Sequence, residues 1–177
     1  MSKPYCRKIV PKIIEMFKAR HYKNWIVQEE KEGEPTVITA KTKQGDLVKC
    51  FLVVDKPKFT VKTAEFCLKQ TGWKHLIILY RNTITCFAKR VLEMAGKTKV
   101  EHMPCKEIEI NIIGHKFQPK KFRRLEDDEK KVFVKKWGTQ FSKMLETDAI
   151  ARYFNYLKGD VIEIHRKDGD IVYRIVS

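Results

Sequence analysis

The six residues His75-Leu76-Ile77-Ile78-Leu79-Tyr80 constrain the fold of this chain more than any other stretch. An apolar run without alternation leaves neither face for water, so it predicts a strand buried on both sides, as in a sheet covered by helices. Its flanks have the patterns such a sheet needs. Upstream, TVKTAEFCLKQTGW carries Val61, Ala64, Phe66, Cys67 and Leu68 at spacings that suit a helix ending near Gly72. Downstream, ITCFAKRVLEMAG predicts a second helix, with Thr85 as its N-cap, Ala88, Val91, Leu92 and Ala95 on its buried face and Gly96 closing it. TKVEHM follows as a further strand.

Nearer the start, Ile9, Val10, Ile13, Ile14 and Phe17 recur at helical spacing. They predict a helix from about Val10 to Arg20, with Pro11 in the first turn, where its missing N–H costs nothing. Gln28 to Glu34 is polar and charged. TVITAKT and DLVKCFLVVD then flank Lys43-Gln44-Gly45 as a β-hairpin. The order α-β-β-α-β-α-β implies a small α/β sheet with at least one parallel crossover. The alternation stops at Met103-Pro104-Cys105, where a new apolar run, IEINII, begins. A boundary near Cys105 gives two domains, residues 1–105 and 106–177, and an α+β chain overall.

In the second part, EDDEKKVFVKKW sets acids at the start and lysines at the end of a helix, as the helix dipole favours, and Gly138 stops it. Asp148 can cap a short helix through Phe154, which Asn155 leaves in a left-handed conformation. Lys158-Gly159 turns the chain into a strand. Asp168-Gly169 predicts a two-residue hairpin turn, which sets Ile164 opposite Tyr173, Ile162 opposite Ile175 and Glu163 opposite Arg174.

Charge narrows the function. The 37 Lys and Arg against 22 Asp and Glu leave a formal +15, which points to a polyanion such as nucleic acid or to acidic protein surfaces, beside the plain reading of a solvated basic surface. The excess is concentrated early, with 21 basic and 10 acidic residues up to Cys105 and 16 and 12 after it.

Chemistry-bearing motifs are sparse. The five cysteines are odd in number and form no CxxC pair, so reduced thiols fit best, and the lone His102-x-x-Cys105 cannot close a tetrahedral metal site. Glu29-Glu30-Lys31 and Asp128-Glu129-Lys130 have the acid-x-lysine spacing of metal-dependent nucleases, but one falls in a polar loop and the other on a helix of the other domain. There is no GxxxxGK loop and no GxSxG elbow. No apolar run approaches the ~20 residues of a spanning helix. These readings predict no catalytic residue, metal, cofactor, small-molecule substrate or membrane contact.

Asp148-Ala149-Ile150-Ala151-Arg152-Tyr153-Phe154, Lys158-Gly159-Asp160-Val161-Ile162 and Tyr173-Arg174-Ile175 resemble the C-terminal signature of the shared small subunit of eukaryotic DNA-directed RNA polymerases, a family with a shorter archaeal counterpart. The likeness extends to Ile110-Asn111-Ile112 and His115-Lys116-Phe117-Gln118-Pro119. The first domain, which the archaeal form lacks, resembles the eukaryotic form at Pro57-Lys58-Phe59-Thr60-Val61-Lys62-Thr63 and at Ile84-Thr85-Cys86-Phe87-Ala88-Lys89. Ser142 and Ala149 stand where the family has proline, and Asn155 where it has glycine. Divergence with a shortened loop and hairpin suggests a version encoded by a large DNA virus.

The resemblance implies a restriction-endonuclease-like N-terminal jaw domain, α/β in class, near downstream double-stranded DNA. It also implies a small α+β C-terminal assembly domain, like the archaeal counterpart, that docks on the largest polymerase subunit, without catalysis of its own. The docking set is then Arg152, Tyr153 and Phe154, with His115 and Pro119 shaping the chain, although Tyr153 and Phe154 could instead fill their own core. At the jaw, the turn Asn82-Thr83-Ile84-Thr85 opens a helix whose free amides suit phosphate, with Lys89 and Arg90 nearby, against the plainer reading of a capped surface helix. The compartment implied is host cytoplasm and virion for a viral protein and the nucleus for a cellular one. A stand-alone DNA-binding protein or transcription factor is the rival reading.

Overall fold

The computed structural model describes residues 2–28, 34–96, 100–110, 112–138 and 140–177, and not the side chains of Ser2 and Lys3. It separates into two compact units, Met1–Ile110 and Asn111–Ser177.

The first unit runs α1 (Ser2–Ala19), β1 (Lys23–Gln28), β2 (Thr36–Lys41), β3 (Leu47–Val53), β4 (Lys58–Phe59), α2 (Val61–Lys69), β5 (His75–Tyr80), β6 (Thr83–Ile84), α3 (Cys86–Met94), β7 (Val100–Pro104) and α4 (Cys105–Glu109). Five strands form one sheet in the order β1-β2-β3-β5-β7. The β2–β3 hairpin is antiparallel, and β3, β5 and β7 are parallel. All six residues of β5 are buried, which is why its sequence lacks alternation. On one face, Leu76, Ile78 and Tyr80 pack with Phe51, Ala64, Cys67, Ala88 and Leu92 under α2 and α3. On the other, Ile77 and Leu79 are buried, together with the α1 stripe Ile9, Ile13, Met16 and Phe17.

That face also holds charge. The Arg20 guanidinium donates to both oxygens of Glu101 on β7, at 2.8 and 2.9 Å, and His75 Nε2 lies 2.5 Å from Glu101 Oε1. Tyr22 Oη is 3.1 Å from His75 Nδ1. Burial opposes the charged forms, yet the pair holds Arg20 above and Glu101 below their ordinary pKa values.

Several sequence expectations change here. The first helix starts at Ser2, so Pro11 lies inside it, on an exposed position. The buried stripe begins at Cys6 and continues across the proline, so packing on both sides outweighs the one lost backbone bond. β1 is an additional strand, all of whose residues are exposed, and such a strand has no alternation to read. α2 ends at Lys69 rather than near Gly72. Part of the Gln28 to Glu34 segment, with Glu29-Glu30-Lys31, lies outside the described residues.

The division between units falls after Ile110, beyond the expected boundary near Cys105. Cys105 and Ile108 of α4 are buried, Tyr5 of α1 donates to Glu109, and Arg81 sits over the Tyr5 ring at 4.3 Å. The apolar run IEINII is therefore shared, its first part ending the first core.

The second unit comprises β8 (Lys121–Arg124), α5 (Asp127–Trp137), β9 (Ser142–Met144), α6 (Ala149–Phe154), β10 (Val161–His165) and β11 (Ile171–Val176). Its sheet has the order β8-β10-β11-β9, with β9 parallel to β11. Glu126 and Glu129 form a reciprocal capping box on α5. The closing hairpin departs from the expected two-residue turn. Gly169 N–H donates to Arg166 O at 3.4 Å and Arg166 N–H to Asp170 O at 2.8 Å, with Gly169 at φ 101°. This is a three-residue loop with a left-handed glycine, so every pair moves by one. Glu163 faces Tyr173, Ile162 faces Arg174 and Ile164 faces Val172. Tyr173 and Ile175 thereby change face relative to the expected register. The core gathers Ile162, Ile164, Val176, Met144, Ile150 and Ala151, with Phe122 and Phe154 against it.

Candidate functional site

In the first unit, β4 and β6 form a short parallel pair, Lys58 beside Thr83 and Phe59 beside Ile84. Thr85 N–H donates to Phe59 O at 3.0 Å, and the Thr85 hydroxyl accepts from Ala88 N–H at 3.3 Å. The cap expected from sequence is therefore formed, and it consumes one of the free amides of α3. Asn82 Nδ2 donates to Lys56 O at 2.7 Å, so Asn82 fixes the tip of the turn. Asn82, Thr83, Lys89 and Arg90 are exposed. Lys89 Nζ stands 3.8 Å from Glu93 on its own helix, an i,i+4 pair worth only a few tenths of a kcal/mol in water. Thr83 lies on β6, Thr85 caps α3, and Lys89 and Arg90 follow on its second turn.

In the second unit, Asp148 caps α6 by accepting from Ile150 N–H at 2.8 Å, and Asn155 leaves it at φ 56° and ψ 47°. Ile150 and Ala151 are buried, while Arg152 and Tyr153 are half-buried. Phe154 stacks on Tyr156 with centroids 5.2 Å apart and meets Phe122 at 6.1 Å. Phe154 is thus half-buried and packs against the core of the unit. Tyr153 meets Phe154 edge-on at 5.4 Å. His115 is exposed and Pro119 half-buried. They lie in a loop of two turns, closed by His115 N–H to Ile112 O and Gln118 N–H to His115 O. His115 also accepts at Nδ1 from Phe117 N–H, at 3.4 Å.

Residues 110–176 match the family model described as RNA polymerase Rpb5, C-terminal domain. The second unit is thus similar to an Rpb5 C-terminal domain. The chain is 38% identical over 112 residues to "Putative DNA-directed RNA polymerase subunit 454R" of Invertebrate iridescent virus 6, covering 56% of this chain and 60% of that protein. It is 30% identical over 101 residues to "DNA-directed RNA polymerase V subunit 5A" of Arabidopsis thaliana, covering 55% and 45%. It therefore spans less than two thirds of the length of either relative. Among solved structures, that of EndoMS in apo form aligns with 53% of this chain and 44% of its own, at a TM-score of 0.35 and 15% identity.

The second unit has a further feature that its sequence did not reveal. Between α5 and the outer face of the sheet lies an open cleft of about 520 Å³, lined among others by Val132, Phe133, Trp137 and Tyr173. α5 has no buried residue, and Val132 and Trp137 are 69% and 61% exposed. Phe133 rests on Tyr173, centroids 4.4 Å apart. Arg123 ties the helix to the sheet, donating to Glu163 at 2.9 and 3.1 Å and to Glu129 at 2.8 and 3.0 Å. The signal available in sequence was Val132 and Trp137 on a helix otherwise rich in charge.

Among the described residues no group of three or more His, Cys, Asp or Glu side chains is placed to hold a metal ion. Asp128 pairs with Lys131 at 3.0 Å on the exposed side of α5, and Glu129 pairs with Arg123. Four of the five free cysteines are buried, and burial pushes the Cys67 thiol up to about 12 and the Cys105 thiol up to about 11. No described helix is long and apolar enough to cross a membrane.

Proposed function

We propose that this protein is a non-catalytic subunit of a multisubunit DNA-directed RNA polymerase, encoded by a large DNA virus. The match of residues 110–176 to the Rpb5 C-terminal domain carries the reading. In it, the C-terminal unit assembles onto the largest polymerase subunit. Arg152 and Tyr153 on α6 supply the anchors, since half-buried Arg and Tyr add contact area at little further cost in order. Phe154 supports them from below, and His115 and Pro119 shape the adjoining loop.

The N-terminal unit serves as a jaw of restriction-endonuclease-like fold that borders downstream double-stranded DNA. Thr83, Thr85, Lys89 and Arg90, oriented by Asn82, contact phosphate and read no sequence, as suits a duplex that must slide. The early charge excess supports this assignment. The protein would reside with its polymerase, in host cytoplasm and virion.

Affinity purification of the tagged protein from infected cells tests the reading. Catalytic polymerase subunits are expected in stoichiometric amount, and recovery of the protein alone on DNA would favour a stand-alone DNA-binding protein.

A further inference from the structure

We propose that one end of the C-terminal unit, where the 112–120 loop meets the β10–β11 hairpin, binds single-stranded nucleic acid through Phe117 and a ring of lysine and arginine. Three backbone relationships bring distant residues together. Lys121 pairs with His165 across β8 and β10, Lys120 N–H donates to His165 O at 2.8 Å, and the Lys167 ammonium donates to Lys116 O. Lys116, Lys120, Lys121, Arg166 and Lys167 are thereby gathered at one end of the sheet, and all five are exposed. Among the described residues none of the five is in an ion pair. The only carboxylates on the hairpin turn are Asp168 and Asp170, and Asp168 already accepts from Asp170 N–H at 3.1 Å.

An apolar residue stands on the same loop, beside Lys116. Phe117 is 80% exposed, with the Lys116 ammonium 4.9 Å from its ring centre and His115 at 5.6 Å. The two successive turns of the loop hold it outward. A large ring kept in water among like charges gains nothing for the fold, but it is the arrangement that stacks a base while cations track the backbone. Duplex offers no unstacked base, and an acidic protein segment would satisfy the lysines without using the ring. Phe117 therefore selects single strands. The site lies in the other unit from the jaw contact and does not depend on it, and it shares with the docking reading only the loop that His115 and Pro119 shape.

The test is fluorescence anisotropy of the full chain with labelled oligo-dT, and with duplex of equal length, over a salt series. Phe117→Ala is expected to weaken oligo-dT binding ~5-fold or more, the lower end of what one stacked base contributes, and Phe117→Trp to retain it. The triple change Lys120→Gln, Lys121→Gln, Lys167→Gln should flatten the salt dependence by about 0.7 in log–log slope for each phosphate no longer neutralised. The triple Lys→Arg variant, which keeps charge, should bind normally and so separates charge loss from misfolding. A Phe117→Ala protein that binds as wild type overturns the proposal. So does displacement of oligo-dT by polyglutamate at equal charge, which would make the ring a seat for acidic protein.

Discussion

Tyr173 stands directly opposite Glu163 across the closing hairpin, and its hydroxyl donates to Glu163 Oε2 at 3.2 Å. The same carboxylate accepts two bonds from Arg123 and lies 2.7 Å from His165 Nε2. One buried acid thus joins β8, β10 and β11, and through Arg123 and Glu129 it fixes α5.

Those partners, Arg123 first, hold Glu163 down to about 2 from its ordinary 4.5. A depressed carboxylate adds stability that is complete above its ordinary value and is lost as pH falls toward the folded one. Stability of the chain is therefore expected to fall between about pH 4.5 and 2. Glu163→Gln should be less stable at neutral pH and show a shallower acid limb in urea titrations, with Glu101 and Glu129, which are also held below their ordinary values, contributing to the remainder. An unaltered acid limb would place the linkage elsewhere.

Arg20 and Glu101 offer a sharper energetic contrast, because both side chains are almost wholly buried. Glu101→Gln alone leaves a guanidinium without its counter-charge and should cost ~3–5 kcal/mol, as breaking buried pairs does. Arg20→Met together with Glu101→Met should cost less than the single change. Chemical denaturation of the three variants reads this directly, and additive losses would contradict it.

On α6 the prediction separates neighbours. Arg152→Ala or Tyr153→Ala should weaken incorporation into polymerase by ~2 kcal/mol or more with the fold retained, as for truncated interface anchors. Phe154→Ala, which removes a ring packed on Phe122 and Tyr156, should cost ~3–5 kcal/mol of stability instead. Quantitative co-purification beside thermal melts distinguishes them, and equal incorporation of folded Arg152→Ala and Tyr153→Ala proteins would end the docking assignment.

At the jaw, Lys89→Glu with Arg90→Glu should shorten the lifetime of elongation complexes as salt rises, without changing the rate of nucleotide addition. These are exposed pairs with phosphate, so their effect is expected in the salt slope, roughly one unit per phosphate. A lifetime independent of these residues across the series would move the DNA contact away from α3.

What the sequence determined by itself is local and periodic. HLIILY announced a doubly covered strand, Thr85, Asp148 and Asn155 announced their caps, and the acid-to-lysine gradient of EDDEKKVFVKKW announced α5, because each signal is complete within one or two turns of chain. Tertiary structure decided the rest. Pro11 is carried inside α1 because the apolar stripe on both sides is buried, and β1 exists through its pairing with β2 although its own residues are exposed. Cys105 and Ile108 joined the first core because they found buried positions there. Asp168-Gly169 was legible as a turn, but the choice between two and three loop residues is made by which face of β11 the core accepts. With Val172 and Val176 inward, Tyr173 reaches Glu163, and the phenol joins a charge network that no spacing in the sequence discloses. The lysines around Phe117 are far apart along the chain, and only strand pairing brings them to one end of the sheet.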